Sequence, residues 1–168
     1  MKIRYETVGD ADGIRAVVTQ AFARPAEADL VDALRAADAP RISLVADAAG
    51  RVVGHVLFTR VTVRRGEDGW SALALGPLAV LPSQQGHGVG SRLIRAGLDA
   101  CLAAGQPVVF VVGAPRFYGR FGFVEAAPMG LVWDAGTVGD AWQVAELTPG
   151  ALRGRTGIVS YRPEFLGV

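Results

Sequence analysis

The sequence predicts an α+β fold in which helices cover a mixed, mostly antiparallel central sheet, an αβα layered arrangement. Three observations support this prediction. Strand-like and helix-like hydrophobic patterns follow one another along the chain, three consecutive strand patterns are separated only by short turns, and a glycine-rich stretch joins the last of them to a long amphipathic helix. At 168 residues the chain has the length of one domain, predicted to span 1–168.

Composition excludes several classes of function. The net charge is only +1, and the sequence shows no basic face large enough to neutralise several phosphates. We therefore expect no nucleic-acid partner. No apolar run approaches the roughly 18 residues of a membrane-spanning helix, and the first residues lack the apolar stretch of a secretory signal. A single cysteine, Cys101, leaves no internal disulfide and no cysteine-rich metal site. We therefore expect a cytoplasmic protein without a membrane partner or a metal.

The first half of the chain predicts a short strand, two amphipathic helices and an antiparallel meander of three strands. Ile14, Val17 and Val18 recur on one face of the first helix, for which Asp10 is the candidate N-cap. The predicted ranges are 2–6 for the first strand, 9–22 and 26–38 for the helices, and 42–47, 52–63 and 70–81 for the meander.

The last strand of the meander, the fourth of the chain, carries a change of side-chain parity. Leu73 and Leu75 share one face, Leu78 and Val80 share the other, and Gly76-Pro77 separates the two pairs. One inserted residue, a β-bulge, produces such a shift, and proline cannot donate to the ladder. We expect this strand to bulge here and to splay away from its neighbour.

The second half predicts a long helix, a buried strand and a more irregular tail. Val89, Leu93 and Leu98 recur at helical spacing over 87–104, in a helix ended by Gly105. The run VVFVV at 108–112 is typical of a strand buried on both faces. Beyond it, PRFYGRFGFVEA predicts a short helix, a glycine turn and a strand, and WQVAEL and TGIVSYRPEF predict two more strands.

The stretch QQGHGVGSR (84–92) places three glycines at the start of the long helix. A P-loop would need Gly-Lys-Ser/Thr, and a dinucleotide-binding fingerprint would need G-x-G-x-x-G with an acidic residue ending the next strand; neither is present. The remaining pattern is Gln-x-x-Gly-x-Gly over 85–90. N–H groups in the first turn of a helix lack intrahelical partners, so glycines there let a pyrophosphate approach bare backbone.

With this motif, the order of elements resembles the GNAT superfamily of N-acetyltransferases over nearly the whole chain. The stretches GHVLF, LGPLAVLPSQQGHGVG, FYGRFGF and AELTPGAL resemble a bacterial branch whose substrates are mostly unassigned. The resemblance implies a GNAT-like fold and transfer of an acetyl group from acetyl-CoA, the acyl-donor substrate, to a primary amine by direct attack in a ternary complex. A catalytically inactive acyl-CoA-binding sensor or partner module is the alternative, and a longer acyl group is not excluded.

The resemblance also implies a donor site. The strand residues Leu78, Ala79 and Val80 would face the acetyl-pantetheine arm, between the bulged strand and the buried one. The pyrophosphate would be held by Gln85, Gly86, His87, Gly88, Val89, Gly90 and Ser91. The family often has arginine or lysine at the position of His87, so this chain would hold the phosphates with less fixed charge.

Acetyl transfer needs a neutral amine, a donor to the oxyanion and a proton for the departing thiolate. Tyr118 lies where the family commonly carries a tyrosine that reaches the sulfur, and a phenol with a pKa of about 10 is protonated at neutral pH. Tyr118 is therefore the candidate general acid, with membership of an aromatic core cluster as the competing role. The backbone N–H of Val80, freed by the bulge, is the candidate oxyanion donor.

The sequence leaves the general base open. An amine with a pKa of about 10.4 is neutral only about once in 2,500 molecules at pH 7, so a base or a desolvating site is needed. Glu27 lies on the helix that borders the acceptor site in GNAT folds, although an exposed helical glutamate is usually just solvated. His55 lies mid-strand, where a buried, hydrogen-bonded histidine fits as well as a base does. Glu125 and a chain of waters are further options.

The acceptor, a small-molecule or peptide amine, has no motif of its own in this sequence. Trp133 and Trp142 are candidates for contacts with it, with packing in the core or at an interface as the competing role. Cys101 lies on the apolar face of the long helix, which favours packing over a covalent acetyl-enzyme. Many members of the family dimerise, and a homodimer is therefore included among the expectations.

Overall fold

The computed structural model describes all residues from Met1 to Val168 as nine strands, four α-helices and short 3₁₀ turns. The strands are β1 (Lys2–Tyr5), β2 (Pro40–Ala48), β3 (Arg51–Arg65), β4 (Asp68–Val80), β5 (Val108–Val112), β6 (Val124–Glu125), β7 (Leu131–Trp133), β8 (Trp142–Glu146) and β9 (Gly157–Ser160). The helices are α1 (Ala11–Phe22), α2 (Ala26–Ala36), α3 (Val89–Ala103) and α4 (Pro115–Tyr118).

All nine strands belong to one mixed sheet. Seven lie in the order β1-β2-β3-β4-β5-β8-β6, while β9 pairs with the last third of β3 and with β7. Neighbours in the main order are antiparallel except β4 and β5, which run parallel. The predicted α+β class with a mixed, mostly antiparallel sheet is confirmed, and the predicted meander is β2, β3 and β4.

Helices cover both faces of the sheet. Gly54 and Phe58 of β3 point toward α3: a Cβ on Gly54 would lie 2.9 Å from the side chain of Leu93. Because side chains alternate along a strand, His55 and Leu57 point to the other face, where α1 packs against β3 and α2 packs against α1. None of the four helices is long and apolar enough to cross a membrane.

A second cluster of buried side chains lies beneath the C-terminal strands. The ring of Trp142 stacks on Phe110 and on Trp133, with ring centroids 5.0 and 5.6 Å apart. Trp142 is 3% exposed, and its Nε1–H donates to the Leu131 carbonyl at 2.9 Å. Trp142 is therefore a core residue, and Trp133 packs against it.

Three local features differ from the sequence-based expectations. The long helix begins at Val89 rather than 87, because Gly88 adopts a left-handed conformation with φ of +82°. Asp10 occupies the N-cap position of α1 without capping it, since its carboxylate accepts hydrogen bonds from Arg4 and from the Thr7 N–H. Strand β7 is absent from the predicted elements, because three residues are too few to show a period of two.

Candidate active site

β4 and β5 pair over a short distance and then separate. Their parallel register joins Leu73 to Val109 and Ala74 to Phe110, and no pair forms beyond these. The remainder of β4 therefore has a free edge on the side of β5. We call the gap between this edge and β5 the wedge.

A bulge in β4 directs its backbone toward the wedge. Gly76 and Pro77 together stand opposite the single residue Leu57 of β3, which confirms the predicted bulge. Beyond it, the Leu81 N–H donates to the Val53 carbonyl at 2.9 Å, so the preceding residue, Val80, directs its N–H and C=O away from β3. The N–H of Val80 thus has the direction that an oxyanion donor in the wedge requires.

The glycine-rich stretch after β4 contains a row of backbone donors without partners. None of the six N–H groups from Gly86 to Ser91 has an acceptor in the protein; the next N–H, that of Arg92, donates to the Gly88 carbonyl at 3.1 Å. Gln85 is different, because its N–H donates to Pro82 and its side-chain amide donates to the Val80 carbonyl at 3.0 Å. Six free N–H groups at the start of a helix of 15 residues favour the binding of an anion there.

A cavity of about 490 Å³ lies between the end of β4, the start of α3 and α4. Eight of the ten predicted donor-site residues line it: Leu78, Val80, Gln85, Gly86, Gly88, Val89, Gly90 and Ser91. Ala79 does not, because it is 2% exposed and pairs with His55 inside the sheet. The side chain of His87 also lies outside the lining, with Nδ1 3.0 Å from the Gln85 carbonyl oxygen.

Five further residues line this cavity without having been indicated by a sequence pattern: Ala21, Phe22, Gln84, Phe117 and Arg120. Arg120 matters most for its charge. Its guanidinium carbon lies 4.9 Å from the ring centroid of Phe117, and no carboxylate pairs with it. Arg120 thus supplies a fixed positive charge to a cavity where His87 supplies none. The only signal in the sequence is its position three residues after Phe117, on one side of a short helical segment.

Tyr118 lies beside the cavity rather than in its lining. Its ring packs edge-on against Phe117 and Phe123, with centroids 5.0 and 5.7 Å apart, and against the backbone of Gly113. Burial raises the pKa of Tyr118 to about 12, so the phenol is protonated at neutral pH. The hydroxyl has no hydrogen-bond partner in the protein and remains available as a donor next to Phe117.

The sequence model of an acetyltransferase (GNAT) domain matches residues 2–126. The chain belongs to the GNAT acetyltransferase family. The uncharacterized N-acetyltransferase YhbS of Escherichia coli K12 is 39% identical over 166 residues, which are 98% of each chain. The uncharacterized N-acetyltransferase YjhQ of the same strain is 45% identical over 120 residues, which are 70% of this chain and 66% of YjhQ.

Two solved structures of GNAT proteins resemble the fold over nearly its full length. Escherichia coli YhbS, in complex with CoA, matches with a TM-score of 0.89 at 38% identity and covers 98% of this chain and 91% of that one. A GNAT acetyltransferase from Brucella melitensis, in complex with acetyl-CoA, matches with a TM-score of 0.79 at 36% identity and covers 98% and 97%. The resemblance inferred from sequence is confirmed, and this GNAT protein is an acyltransferase.

In this GNAT acetyltransferase Glu27 is not the solvated helical glutamate that the sequence suggests. It is 4% exposed, and both of its carboxylate oxygens accept from Nε of Arg24, at 2.6 and 3.0 Å. Glu27 does not line the cavity, although Ala21 and Phe22 at the end of the preceding helix do. The visible role of Glu27 is to hold Arg24 at the junction between α1 and α2.

His55 is fully buried in the middle of β3 and does not reach the cavity. Its Nε2 lies 2.8 Å from the Ser43 hydroxyl, and its Nδ1 has no partner. Burial lowers the pKa of His55 to about 4; the carboxylate of Glu6 opposes this effect and Arg35 adds to it. The neutral, packed histidine that the sequence allowed is what the structure contains.

Cys101 is completely buried on α3, and burial raises the pKa of its thiol to about 12. A buried, protonated thiol is a poor nucleophile. No group of three or more His, Cys, Asp or Glu side chains is placed to hold a metal ion.

Proposed function

We propose that the protein transfers an acetyl group from acetyl-CoA to a primary amine carried by a small molecule or a peptide. Support for this donor comes from the two related structures, one in complex with CoA and the other with acetyl-CoA, at 38% and 36% identity. Within this chain, the observation that carries the proposal is the row of six unpartnered N–H groups beside the cavity.

The six unpartnered N–H groups would bind the pyrophosphate of acetyl-CoA. A Cβ on Gly90 would point toward Phe117 and Val80, both 3.8 Å away, so a larger side chain would fill the space beside the donors. Arg120, which also lines the cavity, adds positive charge. The pantetheine arm would then lie in the wedge, along the backbone of Leu78 and Val80.

In the reaction, the nitrogen of the neutral amine bonds to the thioester carbon, and the carbonyl electron pair moves onto oxygen. The C–S bond then breaks as the carbonyl re-forms. Val80 would donate its N–H to the oxygen while it carries negative charge. Tyr118 would donate its O–H to the departing sulfur; because its pKa of about 12 exceeds the roughly 8.5 of an ordinary thiol, this favours a hydrogen bond over complete transfer of the phenolic proton.

None of the candidate bases, Glu27, His55 and Glu125, lies in the cavity lining. Glu27 is held by Arg24, and His55 is enclosed within the sheet. We therefore assign the proton lost by the amine to water leading out of the cavity. Because Cys101 is buried and protonated, the amine attacks the thioester directly in a ternary complex. The proposed setting is the cytoplasm, without nucleic-acid or membrane partners, and a homodimer is the assembly to test by size-exclusion chromatography.

The test is release of free CoA thiol from acetyl-CoA across a panel of amino acids, polyamines, aminoglycosides and short peptides. Release with at least one amine supports the proposal, and Tyr118→Phe should then lower kcat about tenfold or more while the Kd of acetyl-CoA stays nearly constant. Acetyl-CoA binding without release on any amine would favour the inactive acyl-CoA-binding module. Unchanged turnover in Tyr118→Phe would remove this residue from the mechanism.

A further inference from the structure

A second cavity, of about 310 Å³, opens at the opposite end of α3 from the glycine-rich stretch. Its lining comes from β2, β3 and β4 together with the residues that follow α3: Arg41, Ile42, Arg60, Ser71, Leu73, Ala104 and Gln106. The 15 residues of α3 place it about 22 Å from the row of free N–H groups. Because β4 and β5 pair at Leu73 and Ala74, the wedge ends at these residues and does not continue into this cavity.

The polar groups of this second cavity have no partners in the protein. Arg41 and Arg60 lack a carboxylate partner, and the side chains of Ser71 and Gln106 make no hydrogen bond. The ion-paired arginines of the chain are elsewhere: Arg4, Arg15, Arg24, Arg35 and Arg162. No acidic residue lines the cavity, so two arginines, a serine and a glutamine contribute to the lining without a counter-charge.

Three carbonyl groups near the end of α3 already have hydrogen-bond partners. The carbonyls of Ala100, Cys101 and Leu102 already accept hydrogen bonds from the N–H groups of residues 104–106. Carbonyls with partners present less partial negative charge to a ligand than free carbonyls at a helix end would. The lining contains two positive side chains and no acidic one, and two guanidinium groups can bind the oxygens of one anionic group.

Ile42 and Leu73 are apolar residues of the lining and are 4% and 2% exposed, so the apolar surface that they offer to a ligand is small. At roughly 30 Å³ for each water molecule, 310 Å³ corresponds to about ten water-sized units, which is more than a bare phosphate occupies. We propose that this cavity is a second binding site, separate from the acyl-donor site, for an organic anion of about ten non-hydrogen atoms: a carboxylate or phosphate ester on an apolar body. The anionic group binds Arg41 and Arg60, and the apolar body rests on Ile42 and Leu73. Nothing in this assignment depends on acetyl transfer.

The test uses benzoate and phenyl phosphate as probes, with benzamide as the neutral counterpart and inorganic phosphate as the bare anion. Amide chemical shifts of Ser71, Leu73 and Gln106 report binding by NMR, with and without saturating acetyl-CoA. We expect saturable shifts with benzoate, phenyl phosphate or both, and the responding probe identifies the anionic group. Arg41→Gln and Arg60→Gln should each weaken binding about tenfold, whereas Arg51→Gln, an unpaired arginine of β3 outside the cavity, should leave it unchanged.

Four results would overturn the assignment: no shifts with either probe, equal binding of benzamide, equal binding of inorganic phosphate, or displacement of the probe by acetyl-CoA. All four are read at residues far from the donor cavity. Failure here is therefore distinct from failure of the proposed acetyltransferase activity, which is measured by thiol release.

Discussion

Gly113 at the start of the turn after β5 and Tyr118 in α4 are in direct contact, and the contact leaves no space for a side chain at position 113. A Cβ there would lie 2.8 Å from Cδ2 of Tyr118 and closer still to Cε2. The ring cannot easily move aside, because Phe117 and Phe123 pack edge-on against it. The absence of a side chain at Gly113 thus fixes where the phenol stands beside the cavity.

Gly113→Ala should displace the Tyr118 ring and lower kcat by about ten- to a hundredfold, because a shift of about 1 Å is enough to misplace a reacting group. The Kd of acetyl-CoA should change little, since Gly113 does not line the donor cavity. Steady-state kinetics and calorimetric titration measure the two quantities. Gly119→Ala is the matched control, because a Cβ at Gly119 would meet nothing within 4 Å. A kcat equal to that of the wild type in Gly113→Ala would show that the position of the phenol is unimportant.

Arg120→Gln should raise the Kd of acetyl-CoA about three- to tenfold, because it removes the fixed positive charge in the cavity lining. The side chain is exposed, so we expect the difference from wild type to shrink as salt is raised from 50 to 500 mM. Arg116→Gln, which removes an arginine of α4 outside the cavity, provides the control. Equal losses in both variants would indicate a general charge effect and not a contact in the site.

Gly97→Ala should destabilise the fold although alanine favours helix. A Cβ on Gly97 of α3 would lie 2.5 Å from Cζ of Phe58, which is fully buried. Overpacking of this kind costs about 1–3 kcal/mol, and the better helix propensity of alanine offsets roughly 1 kcal/mol of it. We expect a net loss of up to about 2 kcal/mol in the free energy of unfolding, measured by urea denaturation. Gly9→Ala, where a Cβ would have open space, should stay within about 0.5 kcal/mol of wild type.

The buried His55 predicts how stability depends on pH. Its pKa is about 4 in the folded protein against 6.5 in the unfolded chain, so between these values the unfolded state binds the proton more readily. The contribution of neutral His55 to the free energy of unfolding should therefore be complete above pH 6.5. It should fall by about 3 kcal/mol as the pH decreases to 4. Asp10 affects the free energy of unfolding only at lower pH, because the Arg4 guanidinium holds the pKa of that carboxyl well below its usual range.

Urea denaturation at intervals between pH 4 and 7.5 measures this dependence. His55→Gln should flatten the curve in that range; His87→Gln, which changes the exposed histidine of the chain, is the control variant. An unchanged slope in His55→Gln would assign the pH dependence to other groups.

Local signals in the sequence were sufficient to predict the two backbone features of the proposed donor site, the bulge and the free N–H groups. The parity change around Gly76-Pro77 predicts the bulge, because each strand residue alternates sides and one insertion reverses the alternation. The glycines before α3 predict free backbone donors, because the first turn of any helix lacks acceptors for its N–H groups. Both features depend on residues adjacent in the chain, and both lie where they were expected.

Side-chain environments required the tertiary structure. Whether Glu27 is solvated or buried against Arg24 depends on how the junction of α1 and α2 folds, and whether His55 acts as a base depends on what covers β3. Arg120 reaches the donor cavity only because α4 folds back beside α3. The second cavity depends on three strands and the end of a helix meeting around Arg41 and Arg60.

By itself, then, the sequence determined the class of fold, the bulged strand and the row of free N–H groups at the start of α3, because backbone hydrogen bonding and side-chain alternation depend on residues close in the chain. Only the tertiary structure decided which charged and titratable groups face a cavity. Burial and ion pairing arise between elements that are distant in the chain, such as Arg4 of β1, which pairs with Asp47 of β2, or Arg35 of α2, which pairs with Glu6.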